Sequence, residues 1–139
     1  MKIFNIVVLL VLVLISGCEN REFNLPEGDI ESGRATFVLL QCNECHTVAD
    51  VVYVGSDQHD INVTLGGKTT RVKTYADLLT SIINPSHRLS RGNTSKTATA
   101  EGKSRMRSYN EFMTVEELTN LVTFLESRYE IWVPNNYVY

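Results

Sequence analysis

The sequence predicts one small domain that is mostly α-helical. Three segments, near 29–41, 75–84 and 114–129, carry apolar residues at helical spacing. The 122 residues that follow position 17 are enough for one domain, and no internal repeat divides them. We therefore expect a single domain over 29–139, preceded by a short polar tether over 18–28.

The first helix is expected to begin near Asp29, because an aspartate side chain can accept hydrogen bonds from the free amides at a helix N-terminus. Ile30, Gly33, Phe37 and Val38 then follow roughly one helical face. This helix leads directly into the most specific motif in the chain, which is described below.

The pattern changes over residues 61–72. Short runs of β-prone residues, Val63-Thr64-Leu65 and Thr70-Arg71-Val72, flank Gly66-Gly67-Lys68. A glycine pair between such runs is typical of a tight turn that joins two antiparallel strands. We therefore predict a small β-hairpin in this segment.

Two further helices are predicted. Tyr75 to Asn84 has apolar residues at helical spacing and is stopped by Pro85. In the last helix, Thr114 and Glu117 have the spacing of a capping box, in which each side chain bonds the other residue's amide. Phe124 in this helix is expected to pack against the first helix.

The most specific motif is Cys42-Asn43-Glu44-Cys45-His46. Cys-x-x-Cys-His is typical of covalent haem c attachment. The two thiols add to the two vinyl groups on one porphyrin edge, and the adjoining histidine offers an imidazole to the iron. We interpret Cys42 and Cys45 as thioether positions for one haem c and His46 as the proximal iron ligand.

Three other interpretations of this motif stay open at this point. A structural zinc site usually needs four Cys or His ligands in paired spacings, and no second Cys-x-x-Cys is present. A thioredoxin-like redox pair would lie in an alternating strand–helix pattern, which this sequence lacks. The third is chance occurrence.

The N-terminus predicts export. Lys2 precedes an apolar run over 3–15, which is too short to span a membrane and has the layout of a secretory signal. The run ends in Ser16-Gly17-Cys18, which resembles the lipobox of bacterial lipoproteins. That resemblance implies removal of residues 1–17, lipidation of Cys18 and anchoring on the periplasmic side of the cell envelope, with Glu19 favouring the outer membrane. Each of the three cysteines then has a role, and none is left for a disulfide.

A second iron ligand is expected opposite His46. Met113 precedes the capping residue of the last helix, so it can form a hydrophobic staple with Leu118. Met106 lies in polar sequence where an apolar residue needs another reason. The histidines His87 and His59 are the other candidates.

The stretch from Met106 to Leu118 resembles class I cytochromes c, in which a ligand methionine and an aromatic residue lead into a capped final helix. The Gly33–Phe37 pair and Asn84-Pro85-Ser86 are similar to that family as well. The resemblance covers most of 29–130 and implies a cytochrome c fold, with three to four helices around one haem. It makes Met106 the distal iron ligand, although Arg107 stands where the family very often has proline.

The function implied is single-electron transfer by a membrane-anchored monohaem cytochrome c, between periplasmic or membrane redox partners such as a dehydrogenase, rather than catalysis. The alternatives are a five-coordinate haem that acts as a peroxidase or gas sensor, and a zinc-binding structural lipoprotein. Filling both axial iron positions favours the electron carrier, because it blocks access of substrates to the iron.

Residues 86–108 are strongly basic, with six Lys or Arg side chains against the single acid Glu101, whereas the whole chain has a net charge of −3. We expect this basic loop to steer an acidic redox protein toward the haem. Two alternatives would also explain this positive charge: a loop that is simply solvated, or pairing of its cations with haem propionates. An acidic exported chain is not expected to bind nucleic acid.

Overall fold

The computed structural model describes residues 25–58, 60–89 and 94–133. The following predictions concern positions outside the described residues: the signal over 1–17, the lipidation site Cys18, the tether up to 24, the candidate ligand His59, Arg91 of the basic loop and the C-terminal residues 134–139. Within the described ranges, none of the helices has both the length and the apolar character needed to cross a bilayer.

Four α-helices and four very short strands form the described part of the chain. The elements are α1 (Ile30–Leu39), a 3₁₀ helix (Cys42–Glu44), β1 (His46–Thr47), β2 (Val63–Thr64), β3 (Gly67–Thr69), α2 (Tyr75–Ile83), α3 (Thr94–Thr97), α4 (Val115–Glu126) and β4 (Tyr129–Ile131). The prediction of a mainly helical domain with small β-elements is confirmed at this level.

The longer helices begin at side chains that satisfy free backbone amides. The Asp29 carboxylate accepts a hydrogen bond from the Ser32 amide at 2.7 Å, as predicted for the start of α1. The capping box of Thr114 and Glu117 is also confirmed at the start of α4. A further capping box, between Thr74 and Asp77, begins α2.

Helices α1 and α4 cross in close contact at Gly33. A side-chain carbon at this position would overlap the Asn120 carbonyl oxygen and lie 2.7 Å from the Phe124 Cβ atom. Only glycine lets the two backbones approach this closely. One turn further along, the rings of Phe37 and Phe124 are tilted against each other with centroids 5.9 Å apart, which confirms the predicted packing of Phe124 on the first helix.

The hydrophobic core lies where α1, α2 and α4 meet. Its buried members come from all three helices and from the loop after β1: Phe37, Val48, Leu78, Ile82, Leu121, Val122, Phe124 and Leu125. Partly buried apolar side chains pack against this cluster, among them Leu65 and Met113. The core therefore joins the motif-bearing end of α1 to the other two long helices.

The predicted hairpin over 61–72 is wrong. β2 pairs in parallel with β1, with Val63 opposite His46, and β3 pairs in parallel with β4, with Gly67 opposite Tyr129. Gly66 and Gly67 both adopt positive φ angles, of 84° and 79°, as a tight turn requires. This bend redirects the chain from one partner strand to another, and the flanking segments do not pair with each other.

Candidate cofactor cleft

An apolar cleft opens beside the core, between α1, α2 and the segment that leads into α4. It contains about 570 Å³ of empty space, part of which is open to solvent. Its walls are formed by Phe37, Leu40, Cys42, His46, Leu65, Leu78, Ser81, Ile82, Met106, Tyr109, Met113, Leu121 and Leu125. Three predicted site residues, Cys42, His46 and Met106, are therefore brought to one surface.

The two cysteines lie on the 3₁₀ helix and directly after it. α1 ends at Leu39 with Leu40 as its C-cap, and Gln41 adopts a left-handed backbone conformation with a φ of 58°, which turns the chain into this short helix. Cys42 is half-buried and lines the cleft, whereas Cys45 is half-buried outside the lining. Burial raises the pKa of the Cys42 thiol to about 11 and also raises the pKa of Cys45.

These raised pKa values bear on the redox-pair interpretation of the motif. Reactive thiols in redox proteins have lowered pKa values, because the thiolate is the nucleophile. The pKa of the Cys42 thiol is instead raised above its ordinary value. Partial burial thus favours the protonated form of both thiols, whereas an activated redox pair needs a stabilised thiolate.

His46 lines the cleft from strand β1. Its Nδ1 atom lies 3.3 Å from the Val63 carbonyl oxygen on the paired strand β2. A carbonyl can only accept, so this contact favours the tautomer with the proton on Nδ1 and leaves Nε2 free to bind a metal. Burial lowers the pKa of the imidazole, although the Val63 carbonyl acts in the other direction. The ring is therefore oriented, and its neutral form is favoured.

Both candidate methionines reach the same cleft. Met106 is half-buried in the segment before α4, and its backbone amide donates to the Ser104 hydroxyl at 3.1 Å. Met113 precedes Thr114, the N-cap of α4, and packs against the hydrophobic core together with Leu118. These contacts account for Met113 as part of the core, and they leave Met106 as the cleft methionine without such a packing role.

His87, the candidate histidine that the structure describes, is not brought to the cleft. His87 is exposed, and its Nδ1 atom lies 2.9 Å from the Asn84 carbonyl oxygen just after α2. This position is a turn that follows a helix end, and His87 is absent from the residues that line the cleft. Of the predicted distal ligands with described coordinates, the two methionines are the ones that meet the cleft.

Some residues of the cleft were not predicted from the sequence. The Val63 carbonyl contacts His46 because β1 and β2 pair in parallel, with the two residues 17 positions apart in sequence. No local sequence pattern predicts such a pairing. Tyr109 lines the cleft and donates from its hydroxyl to the Leu40 carbonyl oxygen at 3.0 Å. Its position three residues after Met106 is the signal that could have pointed to it.

The chemistry available at the cleft follows from these side chains. Two thiols, one oriented imidazole and a thioether lie on or beside an apolar surface, and such a set could hold a flat apolar ring with a central iron. Among residues 25–58, 60–89 and 94–133, no group of three or more His, Cys, Asp or Glu side chains could hold a metal ion.

Comparisons of this chain with protein-family models, with curated proteins and with solved structures found no match. The case for a function therefore depends on the motif and on the geometry of the cleft.

Proposed function

We propose that this protein is a membrane-anchored monohaem c-type cytochrome that carries single electrons between redox partners. One observation carries the proposal: the cleft that Cys42 and His46 line is also lined by Met106, although this methionine is distant in sequence. Apolar side chains from three helices supply most of the remaining surface, as burial of a porphyrin requires.

In this proposal Cys42 and Cys45 would hold haem c through thioether bonds, and His46 and Met106 would bind its iron. The bound group supplies an iron that changes by one electron between its ferric and ferrous forms. The Val63 carbonyl orients the His46 imidazole and increases its basicity. A methionine thioether as the second protein ligand would favour ferrous iron and raise the reduction potential. The apolar side chains exclude water.

The lipoprotein part of the proposal concerns Cys18. Lipidation at this residue would anchor the mature chain, because each buried methylene of an acyl chain contributes about 0.8 kcal/mol and several chains together hold a protein firmly. The haem domain would then lie on the periplasmic side of the envelope. Glu19, the residue after the lipidated cysteine, favours the outer membrane over the inner one. This location matches the compartment in which c-type haem is attached.

The test is expression with export in cells competent for cytochrome maturation. We expect the purified protein to be coloured and to keep haem on a denaturing gel, because thioether bonds survive denaturation. The double variant Cys42→Ser/Cys45→Ser should lose the haem stain completely. Cys18→Ser is the control, since it removes the proposed lipid attachment site and neither cysteine of the motif, and the haem stain per exported molecule should be unchanged. A colourless wild-type protein with two reactive thiols in the motif would overturn the proposal.

We also propose that the basic loop steers an acidic redox partner. Two of its described cations are engaged by acids of this chain, because Arg88 pairs with Asp77 and Lys96 pairs with Asp60. Lys103, Arg105 and Arg107 are exposed and form no ion pair with any residue in the described ranges. Arg105 and Arg107 flank Met106 in the sequence, so positive charge without an acidic partner among the described residues lies next to the proposed second iron ligand.

This steering predicts that electron transfer with the physiological partner slows as ionic strength rises. At low salt, Lys103→Gln/Arg107→Gln should lower the bimolecular rate constant by about two- to tenfold, because rim charges act on association. Stopped-flow kinetics measures the effect, and Lys68→Gln on strand β3 is the control for loss of an exposed lysine. Rates that are indifferent to salt would exclude steering.

A further inference from the structure

We propose that Tyr109 and Asn110 form a latch that fixes the Met106 segment to two helices and so limits release of the Met106 thioether from iron. The inference rests on the proposed function, since it concerns a ligand to haem. The two residues act as positioning residues, because their bonds go to backbone atoms of this chain and not to the metal.

The first half of the latch is the bond from Tyr109 to the end of α1. The Tyr109 hydroxyl donates to the Leu40 carbonyl oxygen at 3.0 Å, across 69 residues of sequence. Leu40 is the C-cap of α1, and its carbonyl belongs to the set that a helix leaves without an internal partner. Cys42 follows two residues later. This bond therefore ties the Met106 segment to the wall that bears the thioether positions.

The second half is the bond from Asn110 to the end of α2. The Asn110 side-chain amide donates to the Ile83 carbonyl oxygen at 2.9 Å, across 27 residues. Ile83 is the last residue of α2, and the amide four residues further on, that of His87, donates to the Asn84 carbonyl oxygen instead. α2 forms the wall with Leu78 and Ile82. Two neighbouring side chains thus bond the C-terminal ends of two helices that both line the cleft.

The segment is also held on the N-terminal side of Met106. The Ser104 amide donates to the Ser86 hydroxyl at 3.1 Å, and the Arg105 side chain donates from Nε to the Ala98 carbonyl oxygen at 2.9 Å. Met106 therefore lies between two anchored stretches, and its backbone can move away from the cleft only if one of them gives way. The bonds of Tyr109 and Asn110 are the ones that connect it to the cleft walls.

The strength of the latch can be measured by competition. An external ligand binds the iron only in molecules whose methionine has left, so its apparent affinity rises in proportion to that open population. One net hydrogen bond corresponds to about two- to tenfold in an equilibrium. Tyr109→Phe and Asn110→Ala should each raise the affinity of the ferric holoprotein for imidazole by that factor, and the double variant should exceed either.

The control is Tyr53→Phe. The Tyr53 hydroxyl also donates to a carbonyl oxygen, that of Ile61 at 3.1 Å, but in the loop that follows His46. Imidazole is titrated into each holoprotein while the sulfur-to-iron charge-transfer band is followed, and thermal unfolding is recorded in parallel. We expect Tyr53→Phe to shift the unfolding midpoint at most and to leave the imidazole affinity at the wild-type value.

The possible results distinguish failure of the latch from failure of the proposed function. Unchanged imidazole affinity in Tyr109→Phe and Asn110→Ala, in a wild-type background that shows the charge-transfer band, would overturn the latch alone. An equal rise in Tyr53→Phe would also overturn it, because the effect would then be general loosening. A wild-type ferric protein with haem but without the band would overturn Met106 as ligand, and the latch with it.

Discussion

Met106→Ala is expected to abolish the sulfur-to-iron charge-transfer band of the ferric protein and to give a high-spin spectrum that shifts readily with cyanide. The reduced protein should bind carbon monoxide, and the midpoint potential should fall. The reason is that alanine leaves one axial position without a protein ligand, and loss of the thioether removes the preference for ferrous iron. Visible spectroscopy and a redox titration of the purified holoprotein measure both effects.

Met113→Leu is the matched control, because Met113 lines the same cleft and packs against the core. A methionine-to-leucine exchange nearly conserves volume and usually costs less than about 1.5 kcal/mol. We expect this variant to keep the charge-transfer band. If Met113→Leu loses the band and Met106→Ala keeps it, Met113 is the ligand. A wild-type protein that is already high-spin would favour the five-coordinate alternative, with peroxidase or gas-sensing chemistry.

Gly33→Val is expected to lower the free energy of unfolding by about 3 kcal/mol or more, at the upper end of what overpacking costs. Any side chain at this position meets the Asn120 backbone and the Phe124 Cβ atom, neither of which can move without shifting α4. Denaturant unfolding of the purified holoprotein measures the change. Haem incorporation should fall as well, because α1 leads into Cys42.

Ala35→Val is the control for the β-branched side chain itself. Ala35 is exposed in the same helix, so this variant should cost only the helix propensity of valine, about 0.7 kcal/mol at most. Equal stability of the two variants would show that α1 and α4 do not cross as closely at Gly33 as described. Because neither residue lines the cleft, a difference between the two variants starts from the contact of α1 with α4 and not from a lost contact with the cofactor.

The helices were predictable because their signals are local. Asp29 and the pair Thr114–Glu117 are confirmed as caps, and each acts on amides within three residues. The pairing of strands, in contrast, does not depend on local signals alone. The glycines at 66 and 67 correctly indicate a bend, but the partner of β3 is β4 near the end of the chain. A turn signal cannot specify a partner that distant.

The same distinction applies to the cleft. Cys42, Cys45 and His46 are adjacent in sequence, so their convergence needs no knowledge of the fold. The presence of Met106 in the same lining agrees with its predicted position, whereas its bond to iron stays a prediction. The contact of His46 with Val63 and the bond of Tyr109 to Leu40 depend on tertiary packing, which the residue pattern does not encode locally.

The walls of the cleft and the hydrophobic core share side chains, among them Phe37, Leu78 and Leu121. Any group that binds there adds its contacts directly to the packing that holds the helices together, and a ligand specific for the folded state raises stability by mass action. Under the proposed function, copies that lack the cofactor would open more often and expose cleavable backbone. Proteolysis would then remove the copies that lack the cofactor faster than those that hold it.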